Sequence, residues 1–143
     1  MITVNIDTTP RDLRQMVQKL GRTFTKNHKL AMRRAAAEGV NRINKRTSLG
    51  LDVNEQPFRP YSESYKGFRE GKGRPVDKVK LIFTGKMRGA MTSGLQGQDG
   101  LIFFSSRAES KKAASNNEKR PFFGLNRKDT RSIRDVYLKG LKI

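Results

Sequence analysis

The chain has 143 residues, with 31 Lys+Arg against 13 Asp+Glu for a formal net charge of +18, one histidine and no cysteine. That length suits one domain with a modest core, the missing cysteine excludes disulfides and thiolate metal sites, and a lone histidine leaves a His-based zinc centre short of most of its ligands. Basic residues run through the whole chain instead of collecting in a tail, so self-repulsion favours a polyanionic neighbour or a complementary protein surface.

In chain order, Ile2, Val4 and Ile6 alternate with polar residues, the period of a short strand. A helix is expected next, with Thr9 as its N-cap, Pro10 at its first position and Asp12 in its first turn. Leu13, Met16, Val17 and Leu20 share one face of it before Gly21 supplies a weak break. A second helix is expected from about Asn27 to Arg46, where Met32, Ala36, Val40 and Ile43 recur at helical spacing. Its other faces carry Lys29, Arg33, Arg34, Arg42, Lys45 and Arg46, and the small run Ala35-Ala36-Ala37 would let another backbone approach, from this chain or from another subunit.

Between Thr47 and Val79 the periodicity disappears under Gly50, Pro57, Pro60, Gly67, Gly71, Gly73 and Pro75, and the segment reads as an extended arm or loop pinned by Phe58 and Tyr61. A strand Val79–Phe83, a turn at Thr84-Gly85 and a short helix carrying Met87 and Met91 follow. Gly94, Gly97 and Gly100 bracket a turn before a strand Leu101–Phe104, and the polar stretch 105–119 has room for one helical turn. Asp129 or Thr130 caps a last helix whose Ile133, Val136, Tyr137 and Leu141 form an apolar stripe. The expected fold is α+β: a single domain over 1–143 with N-terminal helices, a small, mostly antiparallel sheet, a long arm at 47–79 and a C-terminal helix.

Nothing in this pattern resembles catalytic machinery. Asp52, Glu55, Glu63, Glu70 and Asp77 match no metal-ligand spacing and read as charge balance on a basic loop, while His28 on its basic helix reads as a surface residue. Gly71-Lys72-Gly73-Arg74-Pro75 lacks the glycine-lysine-serine/threonine spacing and the preceding strand of a phosphate-cradling loop. No enzymatic activity, metal or cofactor is therefore expected. Lys66, Arg69, Lys72 and Arg74, beside Tyr65 and Phe68, either follow a phosphate backbone or form a solvated arm. The basic face of the second helix reads as solvated or acid-paired. No leader-like N-terminus and no membrane-spanning apolar run is present, so a soluble, cytoplasmic chain with no membrane partner is expected.

Three segments combine a conformationally special residue with large apolar ones: Phe58-Arg59-Pro60-Tyr61-Ser62, Phe83-Thr84-Gly85-Lys86-Met87 and Arg120-Pro121-Phe122-Phe123-Gly124-Leu125. In this order, after a helical first third and before a helical tail, they resemble the virion-morphogenesis or tail-completion (neck) family of tailed bacteriophages. Phe58, Pro60 and Tyr61 match its first anchor, Thr84, Gly85 and Met87 its second, and Arg120, Pro121, Phe122, Gly124 and Leu125 its third. Members often carry a histidine and a glycine before the third motif, which residues 113–118 here do not supply. The resemblance implies a virion protein, assembled in the host bacterial cytoplasm, that forms a homo-oligomeric ring at the head–tail junction, with a hexamer expected. Its implied partners are the phage connector, tail-tube or tail-terminator proteins and, in the lumen, genomic DNA held without sequence preference. The alternative from composition is a cytoplasmic, non-specific nucleic-acid-binding module, ribosome-associated or regulatory.

Overall fold

The computed structural model describes residues 10–82 and 84–141. The expected strand at Ile2–Ile6, the Thr9 cap and Phe83 lie outside them. The described residues form five helices and one two-stranded antiparallel sheet, a single α+β domain. Helix α1 (Pro10–Ser48) is the spine; α2 (Glu63–Gly71), α3 (Lys86–Gly89), strands β1 (Met91–Gln96) and β2 (Asp99–Phe104), α4 (Arg107–Lys119) and α5 (Arg127–Gly140) follow.

The two expected N-terminal helices are one. A glycine inside a helix costs only about 1 kcal/mol relative to alanine, too little to stop a helix with good formers on both sides, and α1 runs through Gly21 without a break. Its small residues receive two neighbours of the same chain. A Cβ on Gly140 would stand 3.0 Å from the Ala31 Cα, and one on Gly100 would stand 3.1 Å from the Ala36 Cβ, so glycine is what lets α5 and the hairpin lie close on α1. At Gly39 both meet the spine, because a Cβ there would collide with Ile102 of β2 and crowd Ile133 of α5. Helix α5 runs antiparallel to α1, with Asp129 beside Arg42 and Arg46 and Gly140 beside Ala31. Its Ile133, Val136 and Tyr137 are half-buried, in keeping with the expected stripe.

The hairpin pairs Met91 with Phe104 through Gln96 with Asp99, around a two-residue loop whose Gly97 takes φ +61°. Alternation on β2 turns Ile102 and Phe104 inward and leaves Leu101 and Phe103 outward. Met91, expected on a helix, begins β1 instead. Over its described residues, 79–82, the strand expected at Val79–Phe83 has no ladder: Val79 and Leu81 are buried, but Leu81 sits at φ +53° and neighbouring carbonyls are satisfied by side chains. Arg69 donates to the Ile82 carbonyl (3.0 Å) and Arg88 to that of Lys80 (3.4 Å), so arginines do there what a partner strand would do in a sheet.

The segment 47–79 is likewise not all extended, since Ser62 caps α2 by accepting from Tyr65 N and Thr47 still belongs to α1. The polar stretch 105–119 forms thirteen helical residues, α4, capped by Ser106. The last helix starts earlier than expected. Asn126 is its cap and Asp129 its third residue, the two forming a reciprocal capping box.

The core gathers Ile43, Phe58, Tyr61, Val79, Leu81, Met87, Met91, Ala113 and Phe122. Phe122, 1% exposed, is its largest fully buried side chain. Beside it lies a buried polar knot. Asp129 accepts from Arg46 and, at 3.2 Å, from Arg42, while the second Arg46 nitrogen donates to the carbonyls of Phe122 (3.0 Å) and Gly124 (2.7 Å). Thus α1, α5 and the loop between α4 and α5 are tied at one point.

Two substitutions report on these features. Phe122→Ala is expected to cost about 3 to 5 kcal/mol in chemical denaturation, the range for emptying a buried phenylalanine site; a loss below about 1 kcal/mol would place the ring outside the energetic core. Asp129→Ala strands two guanidiniums, one of them buried, and should cost about 3 to 5 kcal/mol, the range for removing one partner of a buried ion pair. A near-neutral result would mean that water reaches the knot.

Candidate interaction site

The three motif segments converge on one side of the core. Phe58 and Tyr61 are buried, Met87 is buried from α3, and Phe122 is buried beneath them. The first and third segments are bonded directly, because Arg120 Nε donates to the Arg59 carbonyl (2.7 Å) and Arg120 Nη2 to the Pro60 carbonyl (3.0 Å). Arg120 also stands 5.2 Å from the centre of the Tyr61 ring, within cation–π range. Pro60 and Pro121 are exposed, the latter giving its carbonyl to Val53 N at 2.7 Å. Thr84 is exposed, Gly85 supplies φ +82° at the start of α3, and Leu125 points to solvent. Gly124 takes no positive φ. Its constraint is space, since a Cβ would come 3.2 Å from Val53 Cγ2.

Between α2, α3, α4 and the 81–85 segment lies an open groove of about 960 Å³. Tyr65, Phe68 and Ile82 line it and remain between 38% and 50% exposed. Tyr61 forms part of its wall, meeting Tyr65 edge-on at 5.1 Å, and Phe68 stacks on Tyr65. Glu109 reaches it from the first turn of α4: Oε1 accepts from Lys112 at 2.9 Å, while Oε2 is buried with no hydrogen-bond partner. A buried, unsatisfied carboxylate oxygen is costly to the fold.

The basic residues assigned to the arm divide sharply. Arg69 is buried, donating to the Pro75 carbonyl (3.0 Å) as well as that of Ile82 and lying 4.8 Å from the Tyr61 ring centre, so it is a structural strut and does not face a nucleic acid. Lys66 pairs with Glu63 at 2.9 Å. Lys72 and Arg74 are exposed. The glycines around them end α2, with Gly73 at φ +65° and the amides of Gly73 and Arg74 donating back to Glu70 and Arg69 carbonyls, so those amides are turned toward the helix and away from any phosphate.

Other residues carry more structure than their sequence context suggests. His28 bridges two elements, Nδ1 to the Tyr137 hydroxyl and Nε2 to the Gln98 carbonyl, both at 2.9 Å. Arg88 anchors α3 to the end of α1 through the Asn44 carbonyl (2.6 Å) and Ser48 Oγ (2.7 Å), and burial lowers its affinity for its proton. Arg42 and Arg46 fulfil the acid-paired reading of the basic helix, whereas Arg33, Arg34 and Lys45 are exposed.

Three of the dispersed acids have local roles: Asp52 accepts from the amides of Asn54 and Gln56, Glu55 pairs with Lys128 and Glu63 with Lys66. Among the described residues no group of three or more His, Asp or Glu side chains could hold a metal ion, and no helix is long and apolar enough to cross a membrane. Comparison with protein-family models, curated proteins and solved structures finds no match.

Tyr61 offers a pH test of the wall. Burial pushes its hydroxyl above the ordinary value of 10.0, against the opposing pull of Arg69. A group whose folded-state pKa is raised stabilises the fold fully below its unfolded pKa and loses that contribution as pH rises through the folded value. The denaturation midpoint should therefore fall as pH rises above about 10, and the fall should be shallower in Tyr61→Phe than in the wild type. Identical alkaline profiles would mean that the hydroxyl is solvated.

Proposed function

We propose that this chain is a non-enzymatic structural protein of a tailed-phage virion, a homo-oligomeric ring at the head–tail junction that completes the tail, joins it to the head connector and passes DNA through its lumen. The observation that carries this reading is the meeting of three dispersed segments, at 58–62, 84–87 and 120–125, in one wall. Residues that resemble a family's anchors act together as anchors here, with Arg120 clamping the first segment while Phe122 and Met87 fill the space behind it. The charge is consistent with the same task. A surplus of +18, with Lys72, Arg74, Arg33, Arg34 and Lys45 all exposed, suits a lumen that slides along phosphate without reading bases.

One observation favours the alternative, a non-specific nucleic-acid-binding module: Lys19, Arg22, Lys26 and Lys29 lie together on one exposed side of α1. The two readings part on assembly. Electron microscopy of the purified chain and of particles carrying it should show closed rings at the neck; a monodisperse monomer that never enters particles would sink the ring reading.

Duplex DNA should bind weakly, without sequence preference, and with affinity falling by orders of magnitude between roughly 50 and 200 mM salt if about six or more phosphates are contacted. Neutralising Lys66, Lys72 and Arg74 together should flatten that slope if the α2 region faces DNA, and leave it unchanged if the region grips protein. Tight, sequence-selective binding by the unassembled subunit at physiological salt would favour the alternative.

A further inference from the structure

The groove between α2, α3 and α4 is unbalanced in charge. Among the described residues lining it, the cations are Arg59, Arg69, Lys112, Lys119 and Arg120, and the one acid is Glu109. Arg69 is committed to backbone carbonyls and Lys112 to Glu109. Arg120 uses Nε and Nη2 on the carbonyls of Arg59 and Pro60, while Arg59 and Lys119 are exposed; among the described residues none of these three has an acid partner. The three also adjoin one another, since Arg120 follows Lys119 at the end of α4 and is bonded to Arg59. Positive potential is therefore concentrated there, in a concave wall that focuses it.

The same groove is apolar elsewhere. Leu81 and Met87 are buried in its wall, and Tyr65, Phe68 and Ile82 remain exposed to solvent. On α4, Lys112, Ser115, Asn116 and Lys119 recur at spacings of three and four, so a single helix face runs along the groove and ends at its basic cluster. Exposed apolar side chains beside cations that lack acids define a ligand with both characters.

We propose that the groove receives a segment of a partner protein in which an aromatic or aliphatic side chain lies between closely spaced Asp or Glu residues. The apolar side chain seats among Tyr65, Phe68 and Ile82, and the carboxylates meet Arg59, Lys119 and Arg120. A second copy carries no free segment of this kind. Nowhere in the chain are two acids closer than three positions, and the pair at that spacing, Asp52 and Glu55, is held by local amides and Lys128. A single-stranded nucleic acid also brings anions, but it binds such surfaces by stacking bases on open ring faces. Here the Tyr61 ring has the guanidiniums of Arg69 and Arg120 at 4.8 and 5.2 Å from its centre, and Tyr65 packs against both Tyr61 and Phe68. The rings are clustered on one another and on arginines, which leaves apolar edges for a side chain and no platform for bases. This inference goes beyond the ring reading and holds whether or not the chain closes into rings.

The test is selection of a ribosome-displayed random-peptide library on the immobilised full chain at physiological salt, followed by fluorescence anisotropy with the enriched peptides. Their sequences should place an aromatic or aliphatic residue between closely spaced acids, and replacing those acids by the matching amides should abolish binding. Affinity should fall about tenfold or more in Phe68→Ser and in the double variant Arg59→Ser/Lys119→Ser, the loss expected of interface anchors. It should stay within about twofold in Arg22→Ser/Lys26→Ser, which removes the same charge from an exposed face of α1 outside the groove. Circular dichroism and melting control for folding, and Ile82→Ser repeats the apolar test from another element if Phe68→Ser melts early.

No enriched peptide, enrichment of sequences without acids, or undiminished binding in the groove variants overturns the proposal. So does an equal loss in the α1 pair, because binding is then diffuse attraction to a basic protein. An oligothymidylate strand that displaces the peptides and itself weakens in Phe68→Ser would make the groove a nucleic-acid site instead. Each of these results reads the groove alone, and rings seen or missing by electron microscopy decide the ring reading separately.

Discussion

The buried bonds of Arg46 are the constraint on which the rest of the domain depends. Its guanidinium reaches α5 through Asp129 and the preceding loop through two carbonyls, so one side chain fixes the position of two segments against the spine. Burying a charge is tolerable only when it is paired and hydrogen-bonded, and Asp129 does both while serving in the capping box of its own helix. The Phe122 ring is held by the same arrangement: its carbonyl is taken by Arg46 and its amide by Asn117 Oδ1 at 3.0 Å. Core packing and helix placement are thus one event.

Arginine recurs as a substitute for regular structure. Arg69, Arg88 and Arg120 each cross a gap between segments and donate to carbonyls that no strand satisfies. A planar guanidinium with five donors is suited to this, and its flat face can rest on Tyr61 while its edges bond. Part of the large positive charge is therefore internal framework. Only the remainder is available to a lumen or a partner, which is why total charge alone distinguishes poorly between a neck protein and a nucleic-acid binder.

What was legible in the sequence followed from side chains whose constraints are local. Phe58, Tyr61, Met87 and Phe122 were readable as anchors because each sits within two residues of a proline or a glycine, and the apolar stripe of α5 was readable from its spacing. The fold class was legible too. Helix α4 was not, because its only buried apolar residue is Ala113 and periodicity has nothing to register; the available signal was Ser106 three residues before Glu109, a capping pattern. The apolar-rich stretch Val79–Phe83 suggested a strand for the converse reason. Alternation reports burial, and whether a ladder forms depends on a distant partner, here replaced by Arg69 and Arg88. Arg69 itself was misread as an outward cation because its acceptors, Pro75 and Ile82, lie on a loop that only the tertiary fold brings round.

The knot also has a bearing on the order in which the chain can fold. Arg46 and Asp129 are 83 residues apart, and closing a loop of that length carries an entropic cost on the order of 4 kcal/mol beyond a fixed term. Helix α1 can form early from local bonds alone, whereas the ion pair beside the Phe122 carbonyl closes only once Asp129 has met the spine. During synthesis from the N-terminus, the residues up to Asp129 must therefore be made before that knot can tie, so the bond that joins α5 to the spine belongs to the late contacts of folding.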